Sequence, residues 1–205
     1  MRLFVALLPP RRVCDELARA LAPHRGEWPQ LRWVDPANWH LTLAFLGEVP
    51  EEVLPGLELR LARAASRYAP MTLAFAGAGA FPSARRARVL WAGLRGGGES
   101  YGGRPEIVRL ADSVAAGARR EGIEVDDRRF KAHLTLARAR TRGDLDARPL
   151  VEALEPFTGA EWEAESVHLM RSDFGSPQVG HSGAGVRYET VARWPLAARA
   201  PRGQG

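Results

Sequence analysis

The pentapeptide His-Leu-Thr-Leu-Ala occurs twice in this 205-residue chain, at 40–44 and at 133–137. As a strand, such a segment alternates its faces, so histidine and threonine share one side and the two leucines the other. The leucine side demands a core. The polar side demands water or a ligand, because an imidazole or hydroxyl buried without a partner is costly. Two copies with one polarity pattern imply two equivalent strands in a duplicated, pseudo-symmetric architecture.

The flanking sequence supplies the other elements. Strands are expected over 2–8, 31–34, 39–46, 71–76, 88–94, 130–137, 167–170 and 186–194, and helices over 11–21, 51–68, 105–121 and 144–154. Asp35-Pro36-Ala37-Asn38 reads as a turn between strands. Strands and helices mixed in this way predict an α+β fold. Residues 1–196 are expected to form a single bilobal domain and 197–205 a disordered tail. Alternation puts Trp39, Leu41, Leu43 and Phe45 on the buried side of the first copy. Phe130, Leu134 and Leu136 hold that side in the second, with Lys131 beside His133 and Thr135 on the polar side. Arg138 shares the leucine parity, but it stands at a strand end where the alternation can break.

Composition adds limits. The net charge of +5 suits a polyanionic partner. An overall bias to Arg, Ala, Gly and Pro explains the charge equally well, for Lys131 is the one lysine among 29 basic residues. The single cysteine, Cys14, excludes an internal disulfide; it reads as a small buried side chain in a cytoplasmic protein. The apolar run 3–8 is too short for a secretory leader, and no stretch is long enough to span a bilayer.

Two histidines that titrate near neutrality can hold opposite protonation states, one as base and one as acid. In-line displacement at phosphorus needs such a pair on opposite sides of the phosphate. Threonine hydroxyls can donate to the non-bridging oxygens, and Lys131 can add positive charge. His24, His168 and His181 lie outside the repeat and read as surface or loop residues. A metal hydrolase would need further ligands, and no carboxylate or cysteine cluster accompanies the pair. The segment 77–82 lacks the third glycine of a dinucleotide loop, Gly96-Gly97-Gly98 lacks the following Lys-Ser/Thr, and 180–184 lacks the last glycine of a nucleophile elbow.

Through its two motifs the sequence resembles the 2H phosphoesterase superfamily, named for paired His-x-Thr-x motifs. The segments RLFVALLPP, RWVDPANWHLTLAFLGEVPE, FPSARRARVLWAGL, FKAHLTLAR, VHLMRSDF and YETVARWPL are similar to its RNA 2′,3′-cyclic phosphodiesterase branch, also called 2′-5′ RNA ligases. The resemblance implies two lobes, each with a mixed or antiparallel sheet and helices, around a central cleft. It implies His40 as proton donor to the leaving 3′ oxygen, His133 as the base activating water, and Thr42 and Thr135 as phosphate ligands. Lys131 joins the phosphate-binding set, and Arg138 is a weaker candidate. No cofactor or metal is expected. The partners expected are RNA ends or nucleotides bearing a 2′,3′-cyclic phosphate, acted on by a monomer away from membranes, with a 2′-phosphate as product. Three alternatives stay open: a 2′-5′-linked oligonucleotide substrate, a cyclic nucleotide or ADP-ribose phosphate, and a non-catalytic RNA-binding module. Trp91 and Phe45 are further aromatics suited to stacking, although alternation assigns Phe45 to the core.

Overall fold

The elements follow the order β1 (Arg2–Leu7), α1 (Arg11–Glu27), β2 (Leu31–Trp33), β3 (Leu41–Glu48), α2 (Leu54–Ala65), β4 (Met71–Phe81) and β5 (Val89–Gly96). They continue with α3 (Glu106–Arg120), β6 (Leu134–Ala139), α4 (Arg148–Leu154), β7 (Trp162–Ala164), β8 (Ser166–Asp173) and β9 (Arg187–Pro195). The computed structural model describes residues 1–97, 104–126, 128–140, 145–173 and 187–197. Residues 98–103, 174–186 and the expected tail from 198 therefore lie outside the described residues.

The strands form two antiparallel sheets, one of order β3-β1-β8-β9 and the other of order β2-β6-β5-β4-β7. Each copy of the pentapeptide thus belongs to a different sheet, β3 in the first and β6 in the second. The lobes are not successive halves of the chain. Strand β8 returns to pair with β1 and carries β9 on its outer edge, while β2, from near the start, joins the second sheet. This interleaving ties the lobes together, and one continuous core runs behind both sheets.

Helical periodicity explains how the outer layer is held. Val13, Leu17 and Leu21 of α1 are buried one turn apart, with Cys14 beside them. Leu57, Leu61 and Ala64 do the same on α2, and Ile107, Leu110, Ala111, Val114 and Ala118 on α3. Burial pushes the Cys14 thiol up to about 11, with Asp15 adding to the effect, so the side chain is inert filler, as the sequence suggested. No described helix is long and apolar enough to cross a membrane.

Some elements depart from the sequence pattern. Helix α1 runs on to Glu27, through Pro23. Strand β4 extends to Phe81, past Gly77 and Gly79, which had hidden its second half. Strand β7 has three residues, too few for a periodicity to show.

The most consequential departure is a bulge common to both repeats. In β3, Val5 faces Ala44 and Ala6 faces Thr42, which leaves Leu43 as an extra residue. In β6, Leu90 faces Ala137 and Trp91 faces Thr135, which leaves Leu136 extra. Leu and Ala at the end of each pentapeptide therefore both turn inward, at 5% and 6% exposure in the first copy and 1% and 0% in the second. The alternation restarts one residue out of phase, which returns Phe45 and Arg138 to the histidine side. Phe45 is 62% exposed, so its assignment to the core was wrong. Arg138, exposed as well, does not keep the leucine parity.

A pair of substitutions reads this phase change. Leu43→Ala is expected to cost about 2–5 kcal/mol, as for a leucine removed from a packed core. Phe45→Ala is expected to cost no more than about 0.5 kcal/mol. Urea denaturation of the two variants checks both; a larger loss for Phe45 would restore the unbroken alternation.

Candidate active site

Each histidine stands at the entry to its strand, immediately before Leu41 or Leu134. There the ring is fixed in the same way in both copies. His40 Nδ1 lies 2.8 Å from the carbonyl oxygen of Asn38, and His133 Nδ1 lies 2.7 Å from that of Lys131, in each case two residues upstream. A carbonyl can only accept, so Nδ1 carries the proton in both rings and Nε2 is the atom left to titrate.

The two environments differ beyond that. His40 is sandwiched by aromatic rings: Phe4 at 4.6 Å between centroids and Tyr188 at 4.9 Å, edge-on. Phe4 comes from β1 and Tyr188 from β9, and the two touch each other at 5.2 Å. His133 meets Phe81 edge-on at 5.0 Å and Trp91 at 6.4 Å. Lys131 Nζ lies 4.3 Å from the centre of the Trp91 ring and 5.5 Å from that of Phe81, a cation held over two π faces. Gly79 makes this arrangement possible. It is paired with Trp91 across the ladder, and a Cβ there would come within 2.2 Å of the indole.

The imidazoles share one electrostatic environment. Burial holds the His40 imidazole below its ordinary value, against the pull of the Asn38 carbonyl; the charges of Arg138 and His133 add to the lowering. Burial does the same to His133, again opposed by a backbone carbonyl and reinforced by Lys131 and Arg138. Arg138 thus acts on both rings, and the charge of His133 is felt at His40. Strands β3 and β6 are in contact, so the two repeats lie close together.

Thr42 and Thr135 are half-buried on the same faces as the histidines, opposite Ala6 and Trp91. The six sequence candidates divide between the sheets: His40 and Thr42 belong to the first, while His133, Thr135 and Arg138 belong to the second, with Lys131 beside His133 over the Trp91 ring. A groove of about 600 Å³ opens beside His40, lined among others by Leu8, Asn38, Trp39, Tyr188 and Thr190.

The sequence missed Phe4, Tyr188 and Phe81, which wall the two imidazoles. His168 also differs from its reading as a surface or loop residue. It sits half-buried on β8, level with Ala6 and Thr42, and burial with the nearby Arg193 charge lowers its imidazole. His24 lies on α1, 3.5 Å from Glu27, and His181 falls outside the described residues. Among the described residues, no three His, Cys, Asp or Glu side chains converge as a metal site would require.

Two antiparallel sheets, each carrying one copy of the His-x-Thr strand, are the features of a 2H phosphoesterase. The chain belongs to the LigT-like phosphoesterases: the family described as "LigT like Phosphoesterase" matches residues 7–91 and 100–180. A relative from Archaeoglobus fulgidus named RNA 2′,3′-cyclic phosphodiesterase is 34% identical over 172 residues, 84% of this chain and 91% of the relative. Among solved structures, TT0787 of Thermus thermophilus superposes with a TM-score of 0.75 at 30% identity, covering 98% of this chain and all of that one. Escherichia coli LigT complexed with 3′-AMP superposes with a TM-score of 0.69 at 27% identity, covering 96% and 98%.

Proposed function

We propose that the chain hydrolyses the terminal 2′,3′-cyclic phosphate of RNA to a 2′-phosphomonoester, by acid–base catalysis between His40 and His133 and without a metal. The observation that carries this reading is the matched pair of imidazoles, each with Nδ1–H on a carbonyl and each free to exchange a proton at Nε2. His133 Nε2 takes a proton from water as that oxygen attacks phosphorus. The bond from phosphorus to the 3′ oxygen breaks, and His40 Nε2 delivers a proton to the departing oxygen. Thr42 and Thr135 donate hydrogen bonds to the non-bridging oxygens, where negative charge grows. Lys131 and Arg138 offset that charge further. The terminal nucleoside lies on the leaving-group side, in the groove beside His40, where Tyr188 offers a stacking surface. Relatives named for this reaction and a LigT structure holding a nucleotide support the assignment. The enzyme is read as a cytoplasmic monomer.

Product analysis on an RNA oligonucleotide ending in a 2′,3′-cyclic phosphate, with chelator present, tests the reaction. A 2′-phosphate should accumulate; a 3′-phosphate, or activity abolished by the chelator, would overturn the assignment.

The pH dependence follows from the lowered imidazoles. Activity requires one ring charged and one neutral, so kcat/KM should describe a bell. Since both rings are held below the ordinary 6.5, the maximum for the free enzyme should fall on the acid side of that value. Arg138→Gln removes a positive charge that disfavours both imidazolium forms, so it should move the bell to higher pH. A profile flat from about pH 5 to 9, or a shift toward acid in the variant, would contradict the coupling.

A further inference from the structure

The ladder between β2 and β6 places Arg32 directly opposite Arg138. Residues paired in this way point to the same side of a sheet, and their Cβ atoms stand about 4.5–5.5 Å apart. Both arginines are exposed, and among the described residues neither side chain makes a hydrogen bond or an ion pair. Like charges directly opposed across two strands repel, so the fold gains nothing from this pair. An anion between or beside the guanidinium groups would turn the repulsion into attraction.

The bulge fixes where such an anion would lie. Arg138 faces Val89, and Thr135 faces Trp91 two residues further along β5, so both sit on the cleft side. Without the extra Leu136, Arg138 would point into the core, and Arg32 with it. Arg138 is close enough to shift both imidazoles, whereas Arg32 stands one strand further out, on the edge strand of this sheet. The two cations therefore lead from the reacting centre outward. Their planar, forked donors suit phosphate oxygens.

We propose that Arg32, together with Arg138, binds a second phosphate of an RNA chain, next to the cyclic phosphate at the reacting centre. Resting on the reading of the chain as an RNA cyclic phosphodiesterase, this makes Arg32 a determinant of chain-length specificity. A cyclic mononucleotide has no second phosphate and leaves Arg32 unused. An oligonucleotide end engages it.

The test compares wild type with Arg32→Ala and Arg32→Gln on a 2′,3′-cyclic mononucleotide and on a tetranucleotide with the same terminus. KM for the tetranucleotide should rise about ten-fold in both variants, the effect of removing one charged hydrogen bond, with kcat unchanged. The mononucleotide kinetics should stay within about two-fold, a change smaller than a charged hydrogen bond would produce. The slope of log KM against log salt for the tetranucleotide should fall by about 0.7, the value for one phosphate on a single strand. Equal losses on both substrates, or none on either, would overturn the role of Arg32. Binding of a tetranucleotide bearing a 2′-phosphate, followed by fluorescence anisotropy, reads the same interaction without turnover. Failure of wild type to hydrolyse either substrate would sink the activity assignment, while the binding result would still decide the role of Arg32.

Discussion

Replacing either His40 or His133 by alanine is expected to lower kcat by about 10²–10⁴-fold, the usual range for a positioned acid or base. Each ring is half-buried at a strand entry, and its Nδ1 bond goes to the local backbone, not to a distant element. The fold should therefore survive the loss, and the unfolding midpoints of both variants should stay close to wild type. The double variant should be little worse than either single one, since acid and base act in one step and their effects do not add. Steady-state kinetics on a cyclic-phosphate substrate checks all three variants. One single variant with near-normal kcat would mean that its histidine is no partner in proton transfer.

Thr42→Val and Thr135→Val are expected to lower kcat by about 10²–10³-fold each, as for one donor removed from an oxyanion site. Valine keeps the branched shape that suits a strand, so packing opposite Ala6 and Trp91 is retained. On the proposed mechanism, what disappears is a hydroxyl that donates to charge that exists fully only in the transition state. KM should therefore change less than kcat. Substitution by serine should restore most of the rate, because the donor returns without the methyl group. A rise in KM alone, with kcat intact, would make the threonines ground-state binding groups only.

The repeat made much of this site readable from the residues alone. Identical pentapeptides with leucines on alternate positions specified two strands of one polarity, and hence which side each histidine would take. The helical stripes, such as Val13, Leu17 and Leu21, were legible for the same reason: local periodicity mirrors local burial. What escaped was set by pairing between distant segments. The bulges at Leu43 and Leu136 depend on register against β1 and β5, and no glycine or proline within either repeat marks them. Phe45 was accordingly misassigned, and Arg138 stood where the alternation alone could not choose a side. Tyr188 reaches His40 because β8 pairs with β1 across nearly the whole chain and brings β9 with it. His168 owes its place on the cleft side to the same closure.

The bulges also let one short repeat present two different surfaces. Up to the alanine the copies are identical; the next residue, restored to the cleft side by the extra leucine, is Phe45 in one and Arg138 in the other. An aromatic surface thus faces the His40 side and a cation the His133 side. This position adds to the asymmetry that Lys131, in the place Asn38 holds in the first copy, already introduces.

A crystal structure with a nucleoside 2′,3′-cyclic vanadate, a mimic of five-coordinate phosphorus, puts the geometry to its most direct test. The vanadium should sit between the lobes, with Nε2 of His40 and Nε2 of His133 each bonded to an oxygen on opposite sides of it and the two threonine hydroxyls on equatorial oxygens. A vanadate held by one lobe alone, with the other imidazole turned away from it, would contradict the shared-phosphate account.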